Sequence, residues 1–383
     1  MLTTRASRIS TTVTAVLAAT VLAGGGPATA APDNAASAPI VVTYDGGLTV
    51  LDGKTLRPTG DVPVDGFTRI NPAGDSRHLM VTTVDGFRVL DTSRKALTDA
   101  EFLGPKPGHV VHHADRTALF FDGSGKVEVF DPDELAGGMP ETETYTSEAA
   151  HHGVAVPLEN GGMVSSLGTT DERVGIVVLD ENYQEILRSE NCPAIHGEAT
   201  AKDEAVLFGC EDGTLVYQDG KITKVPSPDA FGKIGTQSGS ATSPIVLSDY
   251  FTDPDAEFER PEKVALTDTA TDTMRIVDLG TSYSFRSLAP GPHDEALVLD
   301  TDGKIHVIDP KTGQIVNRIA ATSPWVEPED WQKPRPTIFA RGRTAYVTEP
   351  ATNQLHAIDL KTGQKRTTVE LPHTPNELNG VPS

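Results

Sequence analysis

Short apolar runs recur along the chain from Ile40 onward, each followed by a tight polar turn and a second apolar run. The stretch 297–309, LVLDTDGKIHVID, shows the form: alternating residues flank an Asp-Gly pair, the pattern of a β-hairpin. The second half of this unit repeats. KIHVIDPKTGQIV (304–316) and QLHAIDLKTGQKR (354–366) share Ile-Asp-x-Lys-Thr-Gly-Gln and start 50 positions apart. Looser copies read GLTVLDGKTLR (47–57), GFRVLDTSRKA (86–96), KVEVFDPDELA (126–136), VGIVVLDENYQEIL (174–187), GTLVYQDGKIT (213–223) and TMRIVDLG (273–280). Nothing sustains a helical period for three turns.

Eight all-strand units at spacings of 30 to 60 residues predict an all-β protein, a β-propeller of four-stranded YVTN/WD40-like blades. Eight blades are expected, or seven should the long segment 234–280 be irregular. The unit beginning near Ile40 lacks an inner strand of its own. The tail after VELPHTPNELNG is expected to supply it and close the ring. A single propeller domain over 40–380 follows, with the acidic stretch 253–262 and the Pro-rich stretch 324–337 as loops.

The amino terminus changes the expected compartment. Arg5 and Arg8 precede the apolar run 12–23, and GGGPATAAP follows with small residues at Ala28 and Ala30, the layout of a secretory signal over 1–30. A flexible segment, 31–39, comes next. No Cys follows the run to accept lipid, and no later stretch is long and apolar enough to span a bilayer. An exported protein of the periplasm or extracellular space is expected, without membrane insertion and as a monomer. Cleavage removes two arginines and no acid, taking the formal charge from −22 to −24. Such a surface repels phosphate backbones, which argues against nucleic-acid partners. In an oxidising compartment the two cysteines, Cys192 and Cys210, are expected to pair.

The histidines follow the repeat. His109 lies nine positions before Ala118, which opens ALFF, and His196 lies nine before Ala205, which opens AVLF. His152, on the blade between, lies ten before Gly162. Three successive blades thus carry an imidazole at the start of the innermost strand, where neighbouring blades converge. Neutral imidazoles in that arrangement suit Zn(II). Glu198, two residues after His196 and therefore on the same strand face, is the first candidate for a fourth ligand. His113 shares a face with His109 farther along the strand. His293 and His373 lie in turns that would have to fold over the channel mouth. His112 and His151 point away from their neighbours as supporting or surface residues, and His78, His306 and His356 read as structural.

Catalytic motifs do not appear. GTQSGS (235–240) is no nucleophile elbow, DGSGKV (122–127) lacks the spacing of a phosphate loop, and DTDGK (300–304) lacks the terminal Glu of a calcium loop. All three read as turns. Two tryptophans are too few for a quinone-stacking propeller dehydrogenase. A metal-dependent propeller hydrolase and a metal-free scaffold remain as alternatives to a metal carrier.

GHVVHHADRTALFFDGSGKVEVFD, AHHGVAVPLENGGMVSSL, CPAIHGEA with LFGCEDGTLVY, and PGPHDEALVLDTDGKIHVID together resemble the AztD-type zinc metallochaperones over nearly the whole mature chain. The resemblance implies an exported, non-enzymatic protein that holds Zn(II) and passes it by contact to the solute-binding protein of a zinc ABC importer. The His/Asp-rich segment that can follow the signal in that family has no counterpart in APDNAASAPIVV.

Overall fold

The two middle strands of each unit are buried along most of their length, and Gly47–Leu51 and Ala205–Cys210 along all of it. Such continuous apolar runs are expected where a sheet is covered on both faces. The outermost strands instead alternate, as in Ala96–Leu103, or are mostly polar, as in Lys365–Glu370. Charged side chains there discourage pairing with another sheet.

The computed structural model describes Met1 and residues 38–382; the expected signal segment and all but the end of the segment 31–39 lie outside the described residues. Among the described residues, thirty-two strands form eight antiparallel four-stranded sheets, the blades of a propeller. Blade 1 joins both ends of the chain. Ile40–Tyr44, Gly47–Leu51 and Pro58–Pro63 come from its start, and Leu378–Gly380 supplies the innermost strand, pairing Asn379 with Val41. The closure expected from the sequence is therefore present. Segment 234–280 is a regular blade 6 whose innermost strand is only Gln237–Ser238, which excludes the seven-blade alternative. Stretches 253–262 and 324–337 contain no strand.

Adjacent blades share cores. One cluster joins Val111 of blade 3 with Val156, Val164 and Val178 of blade 4 and Val206 and Phe208 of blade 5, with Cys192 and Cys210 inside it. Blades 3, 4 and 5 are thus locked face to face, and this fixes the spacing of the side chains at their inner edges.

Candidate metal centre

His109 lies on Pro107–His113, His152 in the segment leading to Ala155–Pro157, and His196 opens His196–Ala201. These are the innermost strands of blades 3, 4 and 5. The three rings form a triangle, with centroids 5.2 Å apart for His109 and His152, 5.9 Å for His109 and His196, and 5.1 Å for His152 and His196. One nitrogen from each lies within 4.8 Å of the others. Imidazoles on a tetrahedral zinc, with bonds of about 2.0–2.1 Å, place their centroids roughly 5 Å apart.

The outward nitrogens are held. His152 Nδ1 lies 2.5 Å from Asp122 Oδ2, His196 Nδ1 donates to the Gly235 carbonyl at 2.6 Å, and His109 Nδ1 is 3.1 Å from Glu198 Oε2. A carbonyl only accepts, so His196 carries its proton on Nδ1 and its Nε2 lone pair faces inward. The Asp122 carboxylate favours the same tautomer in His152. Metal-binding histidines are oriented by this kind of outer contact. His152 Nε2 and His196 Nε2 approach to 3.2 Å. Two lone pairs that close repel unless a proton or a metal cation lies between them. Burial, followed by the proximity of His109, lowers the His196 pKa to about 3, so this ring stays neutral and able to ligate at ordinary pH.

The trio borders a cavity of about 850 Å³ at the centre of the ring, to which Arg69, Phe285 and Leu378 also contribute from other blades. His152 is the most open of the three, with 43% of its side chain exposed. Behind His196, Cys192 and Cys210 form the expected disulfide, both fully buried. Gly209, next to Cys210, pairs with His196, and the Cys210 carbonyl accepts from Ile234, the neighbour of Gly235. The bridge thus supports both the ring and the acceptor that orients it.

The remaining candidates are placed differently. Glu198 does not share a face with His196, because Gly197, at φ +66°, inserts a bulge that steps the pairing from His196–Gly209 directly to Glu198–Phe208. Its carboxylate lies 3.1 Å from His109 Nδ1 and lines the same cavity, but it is not grouped with the three nitrogens that lie within 4.8 Å of one another. His113 Nδ1 engages the Pro157 carbonyl at 2.8 Å, away from the trio. His293 sits in an exposed turn, its backbone N–H bound by Glu295. His373 stacks on Tyr44, with centroids 3.9 Å apart, beside a different cavity. His151 is buried between the Ala149 carbonyl and the Ser166 hydroxyl, so it is a packing residue and not a surface one. Sequence reasoning missed Asp122 and the Gly235 carbonyl. Asp122 stands in a turn that its residue type already accounts for, and a backbone carbonyl leaves no mark in a sequence.

No protein-family model matches the chain. The zinc chaperone AztD of Citrobacter koseri is 27% identical over 302 residues, 76% of this chain and 69% of that protein. The structure of apo AztD from the same organism superposes with a TM-score of 0.78 at 23% identity, covering 90% of this chain and 96% of that one. The dihydro-heme d1 dehydrogenase NirN shares the fold alone, at a TM-score of 0.62 and 13% identity, covering 90% of this chain and 75% of that one. In sequence, then, the chain is similar to the zinc chaperone AztD, and in blade architecture it shares the fold of the AztD structure.

Proposed function

We propose that the protein holds Zn(II) on His109, His152 and His196 at the centre of the propeller and hands it, in an exported compartment, to the solute-binding protein of a zinc ABC importer. The observation that carries this reading is the 3.2 Å approach of two inward nitrogens whose rings are each held from behind. The similarity to a protein named as a zinc chaperone supports zinc as the cargo and a carrier, not an enzyme, as the class.

Three protein donors leave one coordination position for water or an incoming ligand. That position is where an acceptor's side chain would enter. Exposure of His152 makes it the first ligand to be released, while the half-buried His196 holds the ion last. Asp122, the carboxylate hydrogen-bonded to the trio, is committed to His152 and is poorly placed to act as a hydrolytic base. The test loads the protein with one equivalent of Zn(II) and mixes it with a metal-free solute-binding protein. Acceptor loading faster than zinc release into an excess of chelator is expected. Equal rates would mean passage through solution and would overturn direct transfer, and a His109/His152/His196→Ala variant that binds as many equivalents of zinc as the wild type would overturn the site.

A further inference from the structure

Blade 7 carries a second group of side chains with the chemistry of metal ligands, sharing no residue with the lining of the trio's cavity. Asp300 ends the strand Ala296–Asp300, Asp302 lies in the turn, and His306 is on Lys304–Ile308. The side chains of Asp300 and His306 are 0% and 2% exposed. His306 Nδ1 is 2.8 Å from Asp300 Oδ2, and His306 Nε2 is 3.8 Å from Asp302 Oδ2. Even so, both oxygens of Asp300 and both ring nitrogens of His306 lack a hydrogen-bond partner. The close nitrogen and oxygen are out of line for a hydrogen bond. Neighbouring ligands of one ion sit in this way, roughly 3 Å apart and aimed at a shared point instead of at each other.

The repeat supplies an internal control. In blade 8 the equivalent pair is Glu349 and His356, and there each ring nitrogen is bonded, Nε2 to Glu349 at 2.8 Å and Nδ1 to Thr368 at 2.9 Å. The position of Thr368 opposite the histidine is taken in blade 7 by Arg318, and the carboxylate of Asp302 is added. A purely structural His–carboxylate pair needs neither change. Buried polar groups without partners are costly, and each such group in a native fold calls for an explanation.

We infer that Asp300, Asp302 and His306 form a second divalent-metal site, for an ion such as Zn(II) that accepts both carboxylate and imidazole donors. Asp302, 29% exposed, opens the site to solvent, and the Lys304 ammonium now 2.6 Å from it would swing outward as the ion enters. The Asp300 carbonyl also accepts from the Trp325 indole at 3.0 Å, so the ion would brace the loop that follows the blade.

The experiment measures bound zinc by elemental analysis after equilibration at micromolar free Zn(II), with thermal unfolding as the check on folding. The His109/His152/His196→Ala variant is expected to retain one equivalent and to lose it on addition of Asp302→Asn, a change at a partly exposed turn that the fold tolerates. Asp302→Asn alone should lower the wild-type content from two equivalents to one. A triple variant that binds no zinc, or one whose zinc survives both Asp302→Asn and His306→Gln, overturns the blade 7 site. The first of these results leaves the three-histidine reading standing, so the two sites fail separately.

Discussion

The contact between His152 and Asp122 sets how strongly one exposed ring can act as a ligand. At 2.5 Å the carboxylate holds the Nδ1 proton, turns Nε2 inward and makes it a better donor. Asp122→Asn keeps the size of the side chain and removes the charge. Zinc affinity is expected to fall by about 10- to 100-fold with unfolding unchanged, as losses of such outer partners do; competition titration against a chromophoric chelator checks it, and an unaltered affinity would show the contact to be incidental. Glu198→Gln, at a longer contact, should cost less. The convergence of the three histidines was legible because the repeat imposes a register on every blade. Asp122 was not, because the property that matters in it, reach across to the next blade, depends on how two blades pack and not on either one's pattern. Glu198 misleads in the opposite direction: strand alternation assigns it to the face of His196, and only the backbone of Gly197 moves it off.

Between residue and ring, the element that presents His196 is a short strand held by one covalent link. The disulfide closes a separation of 18 residues that contains His196 and the bulge. In the chain-entropy view a loop of that size constrains the unfolded chain by about 3 kcal/mol. The Cys192→Ser/Cys210→Ser variant is expected to lose about that much stability in denaturant unfolding. It should also bind zinc more weakly, since Gly209 and Gly235, on either side of His196, both depend on the segment around Cys210. Full retention of zinc affinity in a variant that has lost the stability would separate the two roles and leave the bridge purely structural. A second element, the carboxyl-terminal strand Leu378–Gly380, closes the propeller together with Glu377, which binds Arg69 and the buried Arg286, each at 3.1 Å. Truncation after Leu371 leaves Arg286 as a buried cation without its carboxylate and exposes the edge of Ile40–Tyr44. Such a chain is expected to aggregate or fold incompletely, with circular dichroism and sedimentation as the checks. The closing strand could be anticipated because blade 1 came up one strand short, whereas blade 6 was ambiguous because its inner strand is two residues long.

Across the whole molecule, burial acts in opposite senses on two sets of groups, and their balance gives the acid response of the metal-free protein. His112, His151, His196 and His356 have pKa values lowered by burial, His196 to about 3. In the unfolded chain each titrates near 6.5, so as pH falls through that value the unfolded state takes up protons that the native state does not. Stability from these four is fully present above about pH 7 and is lost as the pH falls from there toward the lower native values. Asp249 and Asp300 behave in reverse. Burial raises both to about 6, so below that pH the native state gains protons while the unfolded carboxylates, with pKa near 3.9, remain charged. That gain opposes the histidine loss between about pH 6 and 4. The melting temperature in the presence of a chelator is therefore expected to drop between pH 7.5 and 6, flatten between 6 and 4, and drop again below 4 as ion-paired carboxylates such as Asp91 are protonated. Zinc at saturation should raise the whole curve, and most at neutral pH, because protons compete for the same nitrogens. A melting temperature that rises on going from pH 7.5 to 6 without metal would contradict the burial of these imidazoles in neutral form, and with it the preformed state of the centre that His196 anchors.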